Sequence, residues 1–283
     1  MFSVPSNHDD ICNALNAAGL ADRVFLPTDT DYSSSLGSYY AGNVQELHSW
    51  CIVKPETTYE VSKALSALVK TSPAGNWDIA IRGGEHSHFD SNNVAQGVTI
   101  DLSRMNATTY RNGSSIASIQ SGAGRPSVFA GVEKYGQTVT RGRAGSVGVS
   151  GLTLGGGASV HTGNRGFACD DIQNYEVVLP DGFIINATAY EHPDLFTALK
   201  GGSNNFLIVT RFGMVPFKAA PGGIWGGEGL ISIAINAVNT AGIFKSTSFS
   251  SVQGLPSILN ALKRRSYGNI ITEYEFEGGE RNV

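Results

Sequence analysis

Residues 141–157 read RGRAGSVGVSGLTLGGG, in which only small or aliphatic residues separate the glycines once the two arginines have passed. Glycine has no Cβ and loses the most backbone entropy on ordering, so a run of this density makes a poor packed helix. It reads instead as a long loop pressed against something flat. A second glycine stretch, RGGEHSH at 82–88, follows directly on the apolar run Ile79-Ala-Ile81. Glycine makes up 35 of 283 residues, well above the usual ~7%, and neither a period nor a single tract accounts for it. A chain like this must fold with backbone against backbone, or backbone against a ligand.

Around these runs strands and helices mix without strict alternation, which argues an α+β fold. Thr57 and Glu60 form a capping box, and Val61, Ala64, Leu65, Leu68 and Val69 fall on one face. Residues 57–70 are therefore expected to be a helix, with Lys63 and Lys70 facing water. Residues 78–82 read as a short buried strand that delivers its end into RGGEHSH, a geometry that aims backbone amides at a ligand. Further strands are expected at 97–102, 115–120 and 206–210, and a helix after Pro126 that ends before Gly136. Pro180-Asp-Gly182 is a turn that joins strands 175–179 and 183–185 into a hairpin. A short helix over 193–199 stops at Gly201-Gly202. Residues 219–223 read as a linker, followed by a strand at 229–235 and a helix at 255–263. The length favours two units at ~150 residues each. These are 1–218, split near 105, and a partial second domain over 219–283.

The 20 basic and 24 acidic residues give a net charge of -4 with no Lys/Arg cluster, so no nucleic-acid partner is expected. No apolar run approaches the ~18 residues of a membrane span, and no membrane partner is expected either. The start, MFSVPSNHDD, lacks the basic and apolar regions of a secretion signal. Other features nevertheless point to a secreted chain. Asn106-Ala-Thr108, Asn112-Gly-Ser114 and Asn186-Ala-Thr188 are glycosylation sequons. Cys12, Cys51 and Cys169 fit one disulfide and one buried thiol, with Cys12–Cys51 the candidate pair.

RGGEHSH could hold a phosphate, a metal or a covalent cofactor. His86 and His88 could ligate a metal with Glu85 or His161, yet no spacing fixes a third ligand, so no metal is expected. Arg82 could pair with a cofactor phosphate or cap its own strand. Tyr39, Tyr40, Trp50 and Tyr175 form no spaced cage and read as packing residues.

Further segments narrow the choice. Trp50-Cys-Ile-Val-Lys-Pro55 precedes RGGEHSH, and Gly97-Val-Thr-Ile-Asp-Leu-Ser103 follows it. GSVGVSGLTLGGG at 145–157, Gly166-Phe-Ala-Cys-Asp170, Tyr175-Glu-Val-Val-Leu179 and the run 194–206, DLFTALKGGSNNF, then come in order. Together they closely resemble the fungal berberine-bridge-enzyme-like FAD-linked oxidoreductases, within the flavoprotein group of p-cresol methylhydroxylase and vanillyl-alcohol oxidase. The resemblance runs from about Cys12 to Phe217.

It implies an FAD-binding domain of p-cresol methylhydroxylase type, made of two α+β subdomains and followed by a partial substrate domain. The implied cofactor residues are Arg82, Gly83, Gly84, Glu85, His86 and Ser87 in the first loop. In the second they are Ser146, Val147, Gly148, Gly151, Leu152, Thr153, Gly156 and Gly157, with Val209 on a strand near the adenine. His86 matches the histidine bonded to the flavin 8α-methyl. Ala144 stands where some members carry a second attaching cysteine, so a single covalent link is implied. Glu85 and Leu207 stand where the family has glycine, and Glu85 puts a carboxylate near an anionic cofactor.

The implied activity is that of an oxidase, in which a small alcohol, sugar or secondary metabolite gives a hydride to flavin and dioxygen becomes hydrogen peroxide. The substrate-domain residues that supply the catalytic base in relatives have no match here, so the chain reads as truncated. The alternative is a flavin-binding relative without turnover of its own. An uncovered apolar face would then favour self-association.

Overall fold

The computed structural model describes residues 8–71, 78–88 and 91–219, and two further strands at 224–231 and 270–277. The chain divides into two compact units, Met1–Ala219 and Ala220–Val283.

The first unit opens with α1 (His8–Leu15), β1 (Val24–Phe25), α2 (Thr30–Gly37), α3 (Gly42–Gln45) and β2 (Cys51–Val53). It continues with α4 (Thr58–Thr71), β3 (Asp78–Arg82) and β4 (Gly97–Asp101). The strands form a sheet in the order β1-β2-β4-β3, with β4 parallel to both neighbours and β1 antiparallel to β2. Every residue of the central strand β4 is buried. Helix α4 begins where expected, because Thr57 Oγ1 accepts the Glu60 N–H at 3.1 Å. The Glu60 carboxylate reaches one residue further back than a capping box requires, to the Glu56 N–H. Val61, Ala64, Leu65 and Leu68 are buried, whereas Val69 stays 41% exposed. At 100° per residue Val69 sits about 80° round from Val61, at the margin of the apolar stripe. Cys12 on α1 is disulfide-bonded to Cys51 on β2, across 39 residues of sequence. Closing such a loop is worth roughly 2–4 kcal/mol. Cys169 is a free, buried thiol.

A second sheet follows, built from β5 (Thr108–Thr109), β6 (Ala117–Gln120), β8 (Ile172–Val178), β9 (Ile184–Thr188) and β10 (Ile208–Met214). All neighbours in its order β5-β6-β10-β8-β9 are antiparallel. The hairpin β8–β9 turns where Pro180-Asp-Gly182 predicts, with Gly182 at φ +89° and its N–H donated to the Leu179 carbonyl. Strand β10 runs four residues beyond the expected end at 210, because it lies between β6 and β8 and both keep pairing with it to Met214. Between these strands lie α5 (Arg125–Val132), β7 (Gln137–Thr138), α6 (Val149–Leu154), α7 (Thr162–Arg165) and α8 (Pro193–Ala198). Strand β11 (Phe217–Lys218) pairs with β7.

The run 141–157 corrects the expectation of a continuous loop. Val149–Leu154 forms α6, with Val149, Ser150, Thr153 and Leu154 buried. Positions i, i+1, i+4 and i+5 make one helical face, and burying that face outweighs the low helix propensity of Gly151. The two sheets share packing, since Val178 and Ile208 of the second join the core formed by α1, α4, β2 and β4. Thr58 at the start of α4 also donates to Glu176 of β8 at 2.6 Å.

In the second unit β12 (Ile224–Ile231) and β13 (Ile270–Glu277) pair antiparallel along their whole length. The expected strand at 229–235 overlaps β12. Its end, most of the expected linker and the expected helix at 255–263 lie outside the described residues.

Candidate cofactor-binding site

Strand β3 ends at Arg82, whose side chain is buried among protein groups. Its guanidinium donates to the Ser35 carbonyl at 2.8 Å and to Ser38 Oγ at 2.6 Å. It lies 3.5 Å from Asp101, 3.8 Å from Glu85 and 4.3 Å above the Tyr39 ring. Neither the phosphate pairing nor the strand cap left open for Arg82 is what the guanidinium does here; it ties the end of β3 to α2 and to Asp101.

The next two residues explain both glycine runs. A Cβ on Gly83 would fall 1.9 Å from Ser150 Oγ, and one on Gly84 would fall 2.2 Å from the Gly148 nitrogen. From the other side, a Cβ on Gly148 would fall 2.5 Å from Gly84 Cα. The two loops thus meet backbone to backbone, and glycine is required at the crossing.

Glu85 stands in the left-handed region at φ +50°. The backbone keeps the conformation that glycine favours although a side chain is present, at a cost of about 1–2 kcal/mol. Burial raises the pKa of its carboxyl; Arg82 opposes the shift and Asp101 adds to it. A carboxyl with a raised folded pKa binds more proton when folded. Its stabilising contribution is full below the ordinary glutamate range and is lost as pH rises through the raised value. Glu85→Gln should therefore melt with the wild type in acid and above it at higher pH. A wild type that gains on the variant as pH rises would contradict this.

His86 follows, with Nε2 2.8 Å from Ser146 Oγ. Burial and the nearby His88 lower its pKa, which favours the neutral imidazole. Its ring stacks on Tyr40, with centroids 4.6 Å apart.

These loops line a cleft of about 390 Å³. Of the predicted residues, Gly83, Gly84, Glu85, His86, Ser87, Val147, Gly148, Gly151, Leu152 and Val209 line it together. Arg82, Ser146, Thr153, Gly156 and Gly157 do not. Ser146 reaches the site through His86, and Thr153 is fully buried on the inner face of α6. Gly156 and Gly157 serve the turn after α6. They hold φ +95° and +84°, and their carbonyls accept the N–H groups of Cys169 and Ala168. The wall also contains Ser91, Asn92, Leu102, Ser150, Leu154, Ser203, Asn204 and Leu207, which sequence reasoning does not assign to the cofactor. Ser150 lies inside the glycine run and Ser203-Asn204 inside the run 194–206, so position within those runs is a usable signal. Tyr40 carries none.

The cleft suits a dinucleotide in size and chemistry. Its volume falls within the ~300–1,000 Å³ of small-molecule and cofactor sites. Among the described residues, no carbonyl takes the backbone N–H of Gly84, Glu85 or His86. Consecutive free amides of this kind form an anion-binding concavity. The Asn92 side-chain oxygen is buried without a partner. Among the described residues, the lining supplies hydroxyl and amide donors and no Lys or Arg side chain. A pyrophosphate would thus be held by neutral donors.

Comparison with known proteins agrees with this chemistry. Residues 50–188 match the FAD binding domain family. The chain is 42% identical over 224 residues to the FAD-dependent monooxygenase sdcF of Emericella nidulans, covering 79% of this chain and 46% of that one. It is 38% identical over 217 residues to the FAD-dependent monooxygenase drtC of Aspergillus calidoustus, covering 76% and 41%. Berberine bridge enzyme from Eschscholzia californica superposes with a TM-score of 0.69 at 21% identity, covering 80% of this chain and 46% of that one.

Residues 50–188 form an FAD binding domain by sequence match, and the fold is that of the berberine-bridge-enzyme-like flavoproteins. A berberine-bridge-enzyme-like protein of Physcomitrella patens also superposes, with a TM-score of 0.73 at 20% identity. That match covers 95% of this chain and 63% of the other. The chain spans about half the length of the curated relatives it matches.

Proposed function

We propose that this chain forms the FAD-binding part of an oxidoreductase that carries its flavin covalently on His86. A small alcohol, sugar or secondary metabolite gives up a hydride and a proton, and dioxygen takes the electrons as hydrogen peroxide. The observation that carries the reading is the crossing of Gly84 with Gly148, beside which His86 stands on the cleft wall. FAD, when bound, supplies the two-electron acceptor.

The chain's own residues bind and orient it. The amides of Gly84, Glu85 and His86 face an anionic group, and Ser150 and Ser203 add hydroxyl donors. Leu102, Leu154, Ile208 and Val209 keep water from the inner wall. His86 offers a neutral imidazole with Nε2 engaged by Ser146.

The relatives named as monooxygenases favour a second reading, in which one atom of dioxygen enters the product. The disulfide and the exposed positions of Asn106, Asn112 and Asn186 support a secreted, glycosylated protein.

Acid denaturation followed by intact mass and visible absorbance tests the cofactor. Wild type is expected to keep one FAD per chain, and His86→Ala none. Release of FAD from both would reject the covalent link, and no flavin in either would reject the whole reading. Labelled dioxygen then separates peroxide release from incorporation into product.

A further inference from the structure

Tyr40 is 64% exposed and packs on the cofactor loop, not in the core. Its ring lies 15° from parallel to the His86 imidazole and meets His88 edge-on at 5.8 Å. Its N–H donates to the Glu85 carbonyl at 3.3 Å. Three residues on, the Asn43 side chain donates to the His88 carbonyl at 3.0 Å. Residues 40–43 therefore clasp residues 85–88 from one side, while Ser146 holds His86 Nε2 from the other glycine run.

An imidazole on a surface loop turns freely about its two side-chain torsions. Stacking fixes the plane of the ring, and a hydrogen bond to one nitrogen fixes its rotation within that plane. Neither contact does both.

We propose that Tyr40 and Ser146 are positioning residues for flavin attachment, holding the His86 ring in the single orientation from which it bonds the cofactor. This rests on the covalent reading above. Attachment exchanges a methyl C–H of the flavin and the imidazole N–H for one N–C bond. The two protons and two electrons given up are taken by dioxygen as hydrogen peroxide. A misoriented nucleophile loses rate without losing binding, because the dinucleotide is held elsewhere along the cleft.

The test follows covalent and total FAD separately in Tyr40→Ala, Tyr40→Phe and Ser146→Ala, by flavin fluorescence in denaturing gels and by absorbance of the native proteins. Apoprotein from flavin-starved cells is mixed with FAD, and attachment is timed. Tyr40→Ala and Ser146→Ala are expected to attach flavin about tenfold or more slowly, with total FAD within twofold of wild type. Tyr40→Phe, which keeps the ring, is expected to restore the rate. Attachment by Tyr40→Ala at the wild-type rate would overturn the proposal. So would a loss of total FAD in step with covalent FAD, or a Tyr40→Phe variant as slow as Tyr40→Ala. A wild type that binds FAD but never attaches it rejects the covalent reading, and this inference with it.

Discussion

Gly84→Ala is expected to weaken FAD binding by about tenfold to a hundredfold. The added methyl would lie 2.2 Å from the Gly148 nitrogen and 2.3 Å from its Cα, and both are backbone atoms with no torsion that can swing aside. Forcing extra volume into a close-packed contact costs about 1–3 kcal/mol, and 1.4 kcal/mol is a factor of ten in affinity. The cost falls on the crossing that sets the cleft's floor, so the loops separate where the cofactor would lie. Gly148→Ala should behave in the same way, because its methyl meets Gly84 from the opposite side. Gly145→Ala is the control, since a Cβ there meets nothing within 4 Å. Titrating each apoprotein with FAD by fluorescence decides the matter. Wild-type affinity in Gly84→Ala would show that the loops do not need their close approach.

Arg82→Ala should lower the melting temperature of the first unit by on the order of 10 °C. Arg82 and Asp101 are 4% and 1% exposed. Asp101 also accepts from Ser35 Oγ at 2.8 Å and from the Ser103 N–H at 2.9 Å. Removing one partner of a buried ion pair leaves the other charge uncompensated and costs about 3–5 kcal/mol. In a domain of this size each kcal/mol moves the melting temperature by about 2–4 °C. Arg82→Lys should recover little, because an ammonium cannot bridge Ser35, Ser38 and Asp101 in one plane. Thermal melts and FAD titration together separate this role from a phosphate-binding one. Unchanged melting with weakened FAD would return Arg82 to the cofactor.

Local patterns are legible in the amino-acid sequence. The capping Thr57 and the apolar face of α4, the strand at 78–82 and the turn at 180–182 depend on residues within a few positions of one another. The two glycine loops are legible as well, because glycine density marks close approach wherever it occurs. What the glycines approach is not. Gly84 and Gly148 are 64 positions apart in sequence, and their contact is a property of two loops folded together. Helix α6 escapes a reading by pattern because its propensity is low and its stability comes from the face it buries. Glycine density and the family resemblance together assign Gly156 and Gly157 to the cofactor, and what the fold adds is their positive φ in the turn after α6.

The sequence by itself determined the fold class, the order of the segments and a histidine at the end of a glycine loop, since these follow from local periodicity and from segments in a recognisable order. Tertiary structure alone decided which groups meet. It turned Arg82 inward to Asp101 and set Glu85 in a backbone conformation suited to glycine. It also brought Tyr40 and Ser146, from two distant segments, onto opposite sides of His86. Side-chain roles of this kind depend on long-range packing, and no spacing along the chain encodes the distance between residues that only folding brings together.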